Sequence, residues 1–168
     1  MNPNFDLIGQ YKGQIMKCLC DNDEIFNIVS TNRDIETRDQ ICGYIDTKGE
    51  WHDGAILPYL YIPYNVLKPY VFLCFDVTFK QTSNTIQDTQ IYITMCCHKS
   101  LMQYNSPKYH GSRMDTLLTV VNEQLTNAED YSIGHLIPAE PKFYSPKNDY
   151  YGYAILYSGS DFKDIKHA

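Results

Sequence analysis

The sequence predicts an α+β fold, in which a mainly antiparallel sheet of about four strands has an N-terminal helix and a second helix packed on one face. Two observations predict this class. Apolar residues alternate along 71–79 and again along 90–97, which is the period of a half-buried strand. Between residues 113 and 125, apolar residues recur instead at the spacing of an amphipathic helix.

The first 29 residues predict helical structure with one interruption. Ile8, Tyr11, Ile15 and Leu19 recur at near-helical spacing, whereas the polar run 21–23 can end one helix and cap the next. We therefore expect two helices within 5–29, and a single long helix with a polar patch is the alternative. A turn of helix is expected near 37–42, and turn signals follow between 43 and 54.

The span 56–64 is apolar and rich in tyrosine, but it contains Pro58 and Pro63. Because proline is excluded from central strands, we expect an extended segment at an edge of the sheet. Tyr59, Tyr61 and Tyr64 are candidates for contact with another protein, since tyrosine is common at wet, partly apolar interfaces. The alternative is a strap that covers one end of the core.

The central pair of strands is predicted from 71–79 and 90–97, with Asp76 and Thr78 on the polar face of the first strand. The polar span 80–88 between them is short, so the two strands are expected to form an antiparallel hairpin. The apolar face of the first strand consists of alternate residues: Val71, Leu73, Phe75, Val77 and Phe79.

The helix predicted at 113–125 is expected to pack across this hairpin, with Leu117, Leu118 and Val121 in the core. Beyond it, 133–137 reads as a short strand, 143–148 as a loop and 151–156 as a last strand. Tyr151 and Tyr153 of the last strand are further contact candidates. We expect a single domain over 1–168, with a flexible tail from about residue 160.

The chain of 168 residues has a formal net charge of -6 at pH 7. This charge disfavours a surface that grips nucleic-acid phosphates, but it suits a wall along which DNA passes without adhering. The chain has fifteen tyrosines and one tryptophan, a composition typical of exposed strands and of interfaces.

Six cysteines are present without a CxxC motif, and no secretory signal is recognised before them, so we expect free thiols made in a reducing cytoplasm. Cys96, Cys97 and His98 are the most metal-like cluster, but neighbouring strand residues point to opposite faces, which disfavours a shared ion. We predict no metal site, no cofactor and no catalytic residues, and hence no enzyme. No apolar run has the length of a membrane span.

Three stretches resemble a known family. Residues 88–98 begin with a D-x-x-I-x-I strand, 113–118 begin a helix after a polar loop, and 150–157 form a closing strand. In this layout the chain resembles, over 8–162, the tail terminators of long-tailed bacteriophages, which are also called tail-to-head joining proteins. The proline- and tyrosine-rich span before the hairpin departs from that family's pattern.

The resemblance implies a structural virion protein of the tail or neck, synthesised in the host cytoplasm. It would form a ring, commonly a hexamer, that caps the tail tube, stops its polymerisation and joins it to the head connector. The implied partners are further copies of this chain, the tail tube protein and the connector, with DNA passing through the lumen unbound and no membrane involved. The hairpin loop would contact another subunit through Thr82, Asn84 and Ile86.

Two alternatives stay open on the sequence. Another neck component of the phage, a head-completion or stopper protein, has a similar layout. A small cytoplasmic enzyme or binding domain that uses Cys96, Cys97 and His98 belongs to a different class, and loss of a measured turnover on mutating His98 would favour it.

Overall fold

Three α-helices form in the part of the chain that the computed structural model describes, residues 5–63, 66, 68–81, 86–128 and 135–162. They are α1 (Phe5–Cys20), α2 (Asp23–Val29) and α3 (Arg113–Thr126). Short 3₁₀ turns occur at Arg38–Cys42, where a turn of helix is predicted, and at Lys99–Leu101. Within these described ranges, no helix combines the length and the apolar character that crossing a membrane requires.

The break between α1 and α2 is explained by Asn22. Its side-chain oxygen accepts a hydrogen bond from the backbone N–H of Ile25 at 3.0 Å, which caps α2. Its side-chain amide also donates to Gln124 of α3 at 3.0 Å, which ties the turn to the third helix. The prediction of two helices is therefore confirmed, and the alternative of one long helix is wrong.

A mixed sheet of six strands forms the other layer. Its order is β3-β4-β5-β8-β6, with β7 also paired to β8, while β1 and β2 form a separate two-stranded hairpin. β3 lies parallel to β4, and the other described pairs are antiparallel. The strands are β1 (Tyr44–Ile45), β2 (Trp51–His52), β3 (Ile56–Leu57), β4 (Val71–Gln81), β5 (Ile86–His98), β6 (Ile137–Pro138), β7 (Lys142–Tyr144) and β8 (Tyr150–Phe162).

The α+β class is confirmed, and the sheet is larger than the predicted four strands because of short strands at its edges. β3 occupies one edge, where the sequence places the proline-containing span. The loop predicted at 143–148 is wrong at its start, because Phe143 and Tyr144 belong to β7. The short strand expected at 133–137 is instead Ile137–Pro138, and residues 133–134 lie outside the described part of the chain. Proline is tolerated there because β6 lies at an edge.

The central hairpin is longer than its sequence pattern indicates. Lys80 pairs with Asp88 and Gln81 with Gln87, so most of the predicted polar loop is strand. Polar residues are tolerated because strand pairing depends on backbone groups, which every residue except proline supplies in full. β8 continues beside β5 to Phe162, two residues beyond the expected start of the tail.

The main core lies between the helices and one face of the sheet. Leu117 and Val121 are fully buried there, as predicted, whereas Leu118 is only half-buried. Leu118 packs against this core from its margin, and Val120, which lies outside the predicted apolar stripe, is buried as well. The strand residues of this core alternate along β4 and β5: Val71, Leu73, Phe75, Val77, Ile91, Ile93, Met95 and Cys97.

The outer face of the sheet carries a second, smaller core. Phe72 and Cys74 of β4 are buried there with Cys96 and Tyr150, so this end of β4 is buried on both faces. Ile62, from the segment after β3, packs against this cluster. The proline- and tyrosine-rich span is thus both an edge segment and a strap over one end of the sheet.

Candidate functional site

The β3 surface consists of Tyr59, Leu60 and Tyr61, which follow β3 after Pro58. Their exposed fractions are 41%, 45% and 54%, and the rings of Tyr59 and Tyr61 lie 6.4 Å apart at a tilted angle. A run of three exposed apolar residues is a candidate contact site, because apolar residues that are grouped on the surface often mark a site where another protein binds. Tyr59 and Tyr61 were predicted as contact residues, whereas Tyr64 lies outside the described part of the chain.

Two hydrogen bonds hold the backbone of this segment, one from α1 and one from β4. The ammonium group of Lys12 on α1 donates to the carbonyl oxygen of Pro58 at 2.9 Å, and it also pairs with Asp76 at 2.6 Å. The thiol of Cys74 donates to the carbonyl oxygen of Tyr61 at 3.8 Å. These contacts fix the main chain, so the aromatic side chains project from a defined position and not from a loose loop.

The β6–β7 edge consists of Ile137 and Phe143, on the far side of the sheet. Ile137 is 62% exposed and Phe143 is 72% exposed. The ring of Phe143 lies 6.1 Å from that of Tyr151, which was predicted as a contact residue. Sequence analysis missed both apolar residues of this edge. The one sequence feature that could have indicated this edge is Phe143 itself, a large apolar residue at the start of a predicted loop.

Tyr153 has a structural partner as well as a surface. Its hydroxyl donates to a carboxylate oxygen of Asp115 at 2.6 Å, and this hydrogen bond raises the pKa of Tyr153. Asp115 also accepts the backbone N–H of Ser112 at 2.7 Å, which forms the capping box of α3. Tyr153 therefore anchors the start of α3 to β8. Its backbone pairs with that of Phe143, whereas Tyr151 is the predicted residue whose ring lies beside the Phe143 ring.

The hairpin loop was the third predicted contact region. Thr82 and Asn84 lie outside the described part of the chain. Ile86 begins β5, where its backbone pairs with Phe162 of β8. In this region the structure therefore describes only the ends of β4 and β5, between which the loop lies.

Cys96, Cys97 and His98 do not come together as one group. Cys96 belongs to the small outer core and Cys97 to the main core, so the strand alternation separates them as predicted. The Cys97 thiol lies 3.6 Å from the sulfur of Met102. His98 Nδ1 lies 2.8 Å from the hydroxyl of Ser100 and caps the 3₁₀ turn at Lys99–Leu101.

A cluster that the sequence analysis missed lies in the β1–β2 hairpin. Asp46, Glu50 and His52 bring possible metal-ligand atoms within 4.8 Å of one another. However, one carboxylate oxygen of Asp46 accepts the backbone N–H groups of Lys48 and Glu50, and the other lies 2.9 Å from His52 Nε2. The hydrogen bond from His52, followed by those from the backbone, lowers the pKa of Asp46. These contacts stabilise a tight turn and occupy the carboxylate.

Arg33 connects the loop after α2 to the outer core. Its guanidinium group stacks on the rings of Tyr70 at 4.2 Å and Phe72 at 4.9 Å, and it donates to the carbonyl oxygen of Val71 at 3.1 Å. Burial lowers the pKa of Arg33 to about 10, so the side chain stays charged at neutral pH. Its contacts are those of a structural cation that fixes the start of β4.

Comparison with known proteins gives one match. A family model described as YomW matches residues 14–158, which include both the β3 surface and the β6–β7 edge. No curated protein and no solved structure matches the chain. Because the match covers most of the sequence, the chain belongs to the YomW family, which is a phage-derived family.

Proposed function

We propose that this protein is a structural component of a phage particle. In this proposal it is a tail terminator, forming a ring that caps the tail tube and joins it to the head connector. What supports a ring most strongly is the position of two exposed apolar surfaces, the β3 surface and the β6–β7 edge. The β3 surface follows β3, the strand at one edge of the sheet, whereas the β6–β7 edge lies beyond β8 at the other edge.

A closed ring repeats one contact between two different surfaces of each subunit. A subunit with one apolar surface on each side of its sheet meets this requirement, since each surface is covered by the neighbour on that side. A two-fold dimer would instead bury one surface against its own copy and leave the second exposed.

The charge and the family of the chain support the same proposal. The net charge of -6 would keep DNA from adhering to the lumen of a ring. Membership of a phage-derived family favours a phage role over an unrelated cellular one. The proposed partners are the tail tube protein on one face of the ring and the head connector on the other.

The hairpin loop between β4 and β5 is proposed to contact a neighbouring ring. Replacing residues 82–86 by Asn-Gly would connect Gln81 and Gln87, which already pair across the hairpin, by a two-residue turn. The subunit should therefore fold normally, and the tails should fail to join heads. Normal virions with the shortened loop would show that the loop makes no required contact.

The ring itself is tested with two surface variants. The first carries Leu60→Ser and Tyr61→Ser, and the second carries Ile137→Ser and Phe143→Ser. Each variant loses one half of the proposed contact, and substitution of exposed residues should leave the fold unchanged. Ile45→Ser is the matched control, because Ile45 is 66% exposed but lies in the separate β1–β2 hairpin.

Mass measurement in solution, with tail tubes added where assembly needs a template, gives the result. We expect the wild-type protein and the Ile45 variant to form a closed oligomer and each double variant alone to be monomeric. An equimolar mixture of the double variants should give a heterodimer, because one intact contact is available and growth then stops. Dimers from either double variant alone, or a wild-type protein that stays monomeric with tubes present, would contradict the ring.

A further inference from the structure

Two of the six cysteines lie together. Cys20 is the last residue of α1 and Cys42 is the last residue of the 3₁₀ turn at Arg38–Cys42, and their sulfur atoms are 3.4 Å apart. Both are half-buried free thiols, so a small oxidant can reach them. A disulfide has a sulfur–sulfur distance of about 2 Å, so a small side-chain movement brings these atoms into bonding range.

The backbone around both thiols is fixed by contacts that do not involve sulfur. Arg38 donates to the carbonyl oxygen of Cys20 at 2.9 Å and pairs with Asp23 at the start of α2. The carbonyl oxygen of Ile41 accepts the backbone N–H of Ala55 at 2.7 Å. The two thiols are therefore held near each other by the fold.

The hydrogen bond between the sulfurs also favours reaction. It lowers the pKa of Cys42, because a thiolate there accepts the S–H of Cys20, and a thiolate is the reactive form of cysteine.

The other four cysteines, by contrast, are buried in the two cores. Burial raises the pKa of Cys18 and Cys97 to about 11 and that of Cys74 to about 12, and it also raises the pKa of Cys96. These four thiols therefore stay protonated and shielded at neutral pH.

We propose that Cys20 and Cys42 are an oxidation-sensitive thiol pair that closes to a disulfide in the presence of a hydroperoxide. The Cys42 thiolate attacks the peroxide oxygen, which gives a Cys42 sulfenic acid and, with hydrogen peroxide, one molecule of water. The Cys20 sulfur then attacks the sulfenic sulfur, the S–O bond breaks, and a second water leaves. Two thiols are thus oxidised by two electrons, and one peroxide is reduced to two waters.

The bond would join the end of α1 to the segment before the β1–β2 hairpin and enclose residues 20–42, including α2. In a reducing cytoplasm the pair would stay open, and in an oxidising medium outside the cell it would close. This chemistry is independent of ring formation, so failure of either proposal leaves the other intact.

The test uses the full-length protein treated with hydrogen peroxide, alkylated and digested with trypsin without reduction. Cleavage after Lys17, Arg33, Arg38 and Lys48 puts Cys20 in peptide 18–33 and Cys42 in peptide 39–48. We expect these two peptides to be linked in the oxidised wild-type protein and separate after dithiothreitol. Absence of the linked pair, while the same peroxide treatment oxidises a control dithiol peptide, would overturn the proposal.

Variants identify the partner, because Cys18 lies in the same peptide as Cys20. Cys18→Ala should keep the link, whereas Cys20→Ser and Cys42→Ser should each abolish it. Oxidation should also raise the thermal midpoint of the wild-type protein by roughly 5–10 °C, as a closed loop of this size implies, and leave both serine variants unchanged. A link that persists in Cys20→Ser would show that Cys18 is the partner and would overturn the assignment.

Discussion

Replacing Leu117 by alanine tests how α3 packs on the sheet. Leu117 is fully buried in the main core, and Leu118, the next residue along the same helix, is half-buried. The two substitutions remove the same atoms from adjacent positions and have the same effect on helix propensity. The difference between them therefore reports burial alone.

The expected magnitude follows from that burial. Leu117→Ala should lower the free energy of unfolding by roughly 2–5 kcal/mol, because it removes buried methyl groups and leaves a cavity. Leu118→Ala should cost about 1 kcal/mol, since the half-buried side chain loses only part of its transfer free energy and solvent can fill the space. At a few degrees per kcal/mol, Leu117→Ala should lower the thermal midpoint by roughly 5–15 °C.

Thermal unfolding followed by circular dichroism measures both variants beside the wild-type protein. We expect the midpoint of Leu117→Ala to lie clearly below that of Leu118→Ala. Equal midpoints, or a larger loss for Leu118→Ala, would refute this packing of α3 on the sheet.

Three further stability predictions can be checked by the same unfolding measurement. Gly152→Ala should destabilise the protein by about 3 kcal/mol or more, because the added Cβ would lie 1.9 Å from the carbonyl oxygen of Met95. Gly13→Ala, by contrast, has open space around the added Cβ and should stabilise α1 by about 1 kcal/mol. Asn22→Ala should cost about 1 kcal/mol, since it removes the cap of α2. Burial opposes the charge of Asp115, but its hydrogen bonds outweigh burial and lower its pKa. The stability that the Asp115 carboxylate contributes is therefore present above about pH 4 and is lost as the pH falls through the folded-state pKa. Asp115→Asn should make the free energy of unfolding depend less on pH in this acid range.

The long elements were predictable because their apolar patterns repeat over enough residues to be recognised. The alternation of β4 and β5 and the helical stripe of α3 each extend over several residues, and all three elements form where the pattern places them. The edge strands β3, β6 and β7 have two or three residues each, and so short a run has no period. They form only because β4 and β8 offer unpaired backbone groups beside them.

The candidate surfaces were predictable in part. Tyr59 and Tyr61 were identified from composition, and both are exposed. Ile137 was assigned to a strand and Phe143 to a loop, with no indication that either would be exposed at an edge. The position of an edge depends on the order of strands in the sheet, which local sequence does not determine.

The proximity of Cys20 and Cys42 also could not be predicted from the sequence. The two residues belong to different elements, and Cys42 lies in a 3₁₀ turn that ends at Gly43, whose φ of 93° is one that glycine adopts readily. Spacing rules detect CxxC pairs and metal-ligand sets, whereas a pair formed by tertiary packing has no fixed spacing.

The proposal that the protein ends tail-tube growth is tested by the length of tail tubes in lysates of a phage that lacks this gene. Electron microscopy gives the length distribution, and the same phage supplied with the wild-type gene in trans is the control. We expect tubes that continue past the normal length and carry no heads, with normal tubes restored in the control. Tubes of normal, uniform length in the absence of the protein would contradict it.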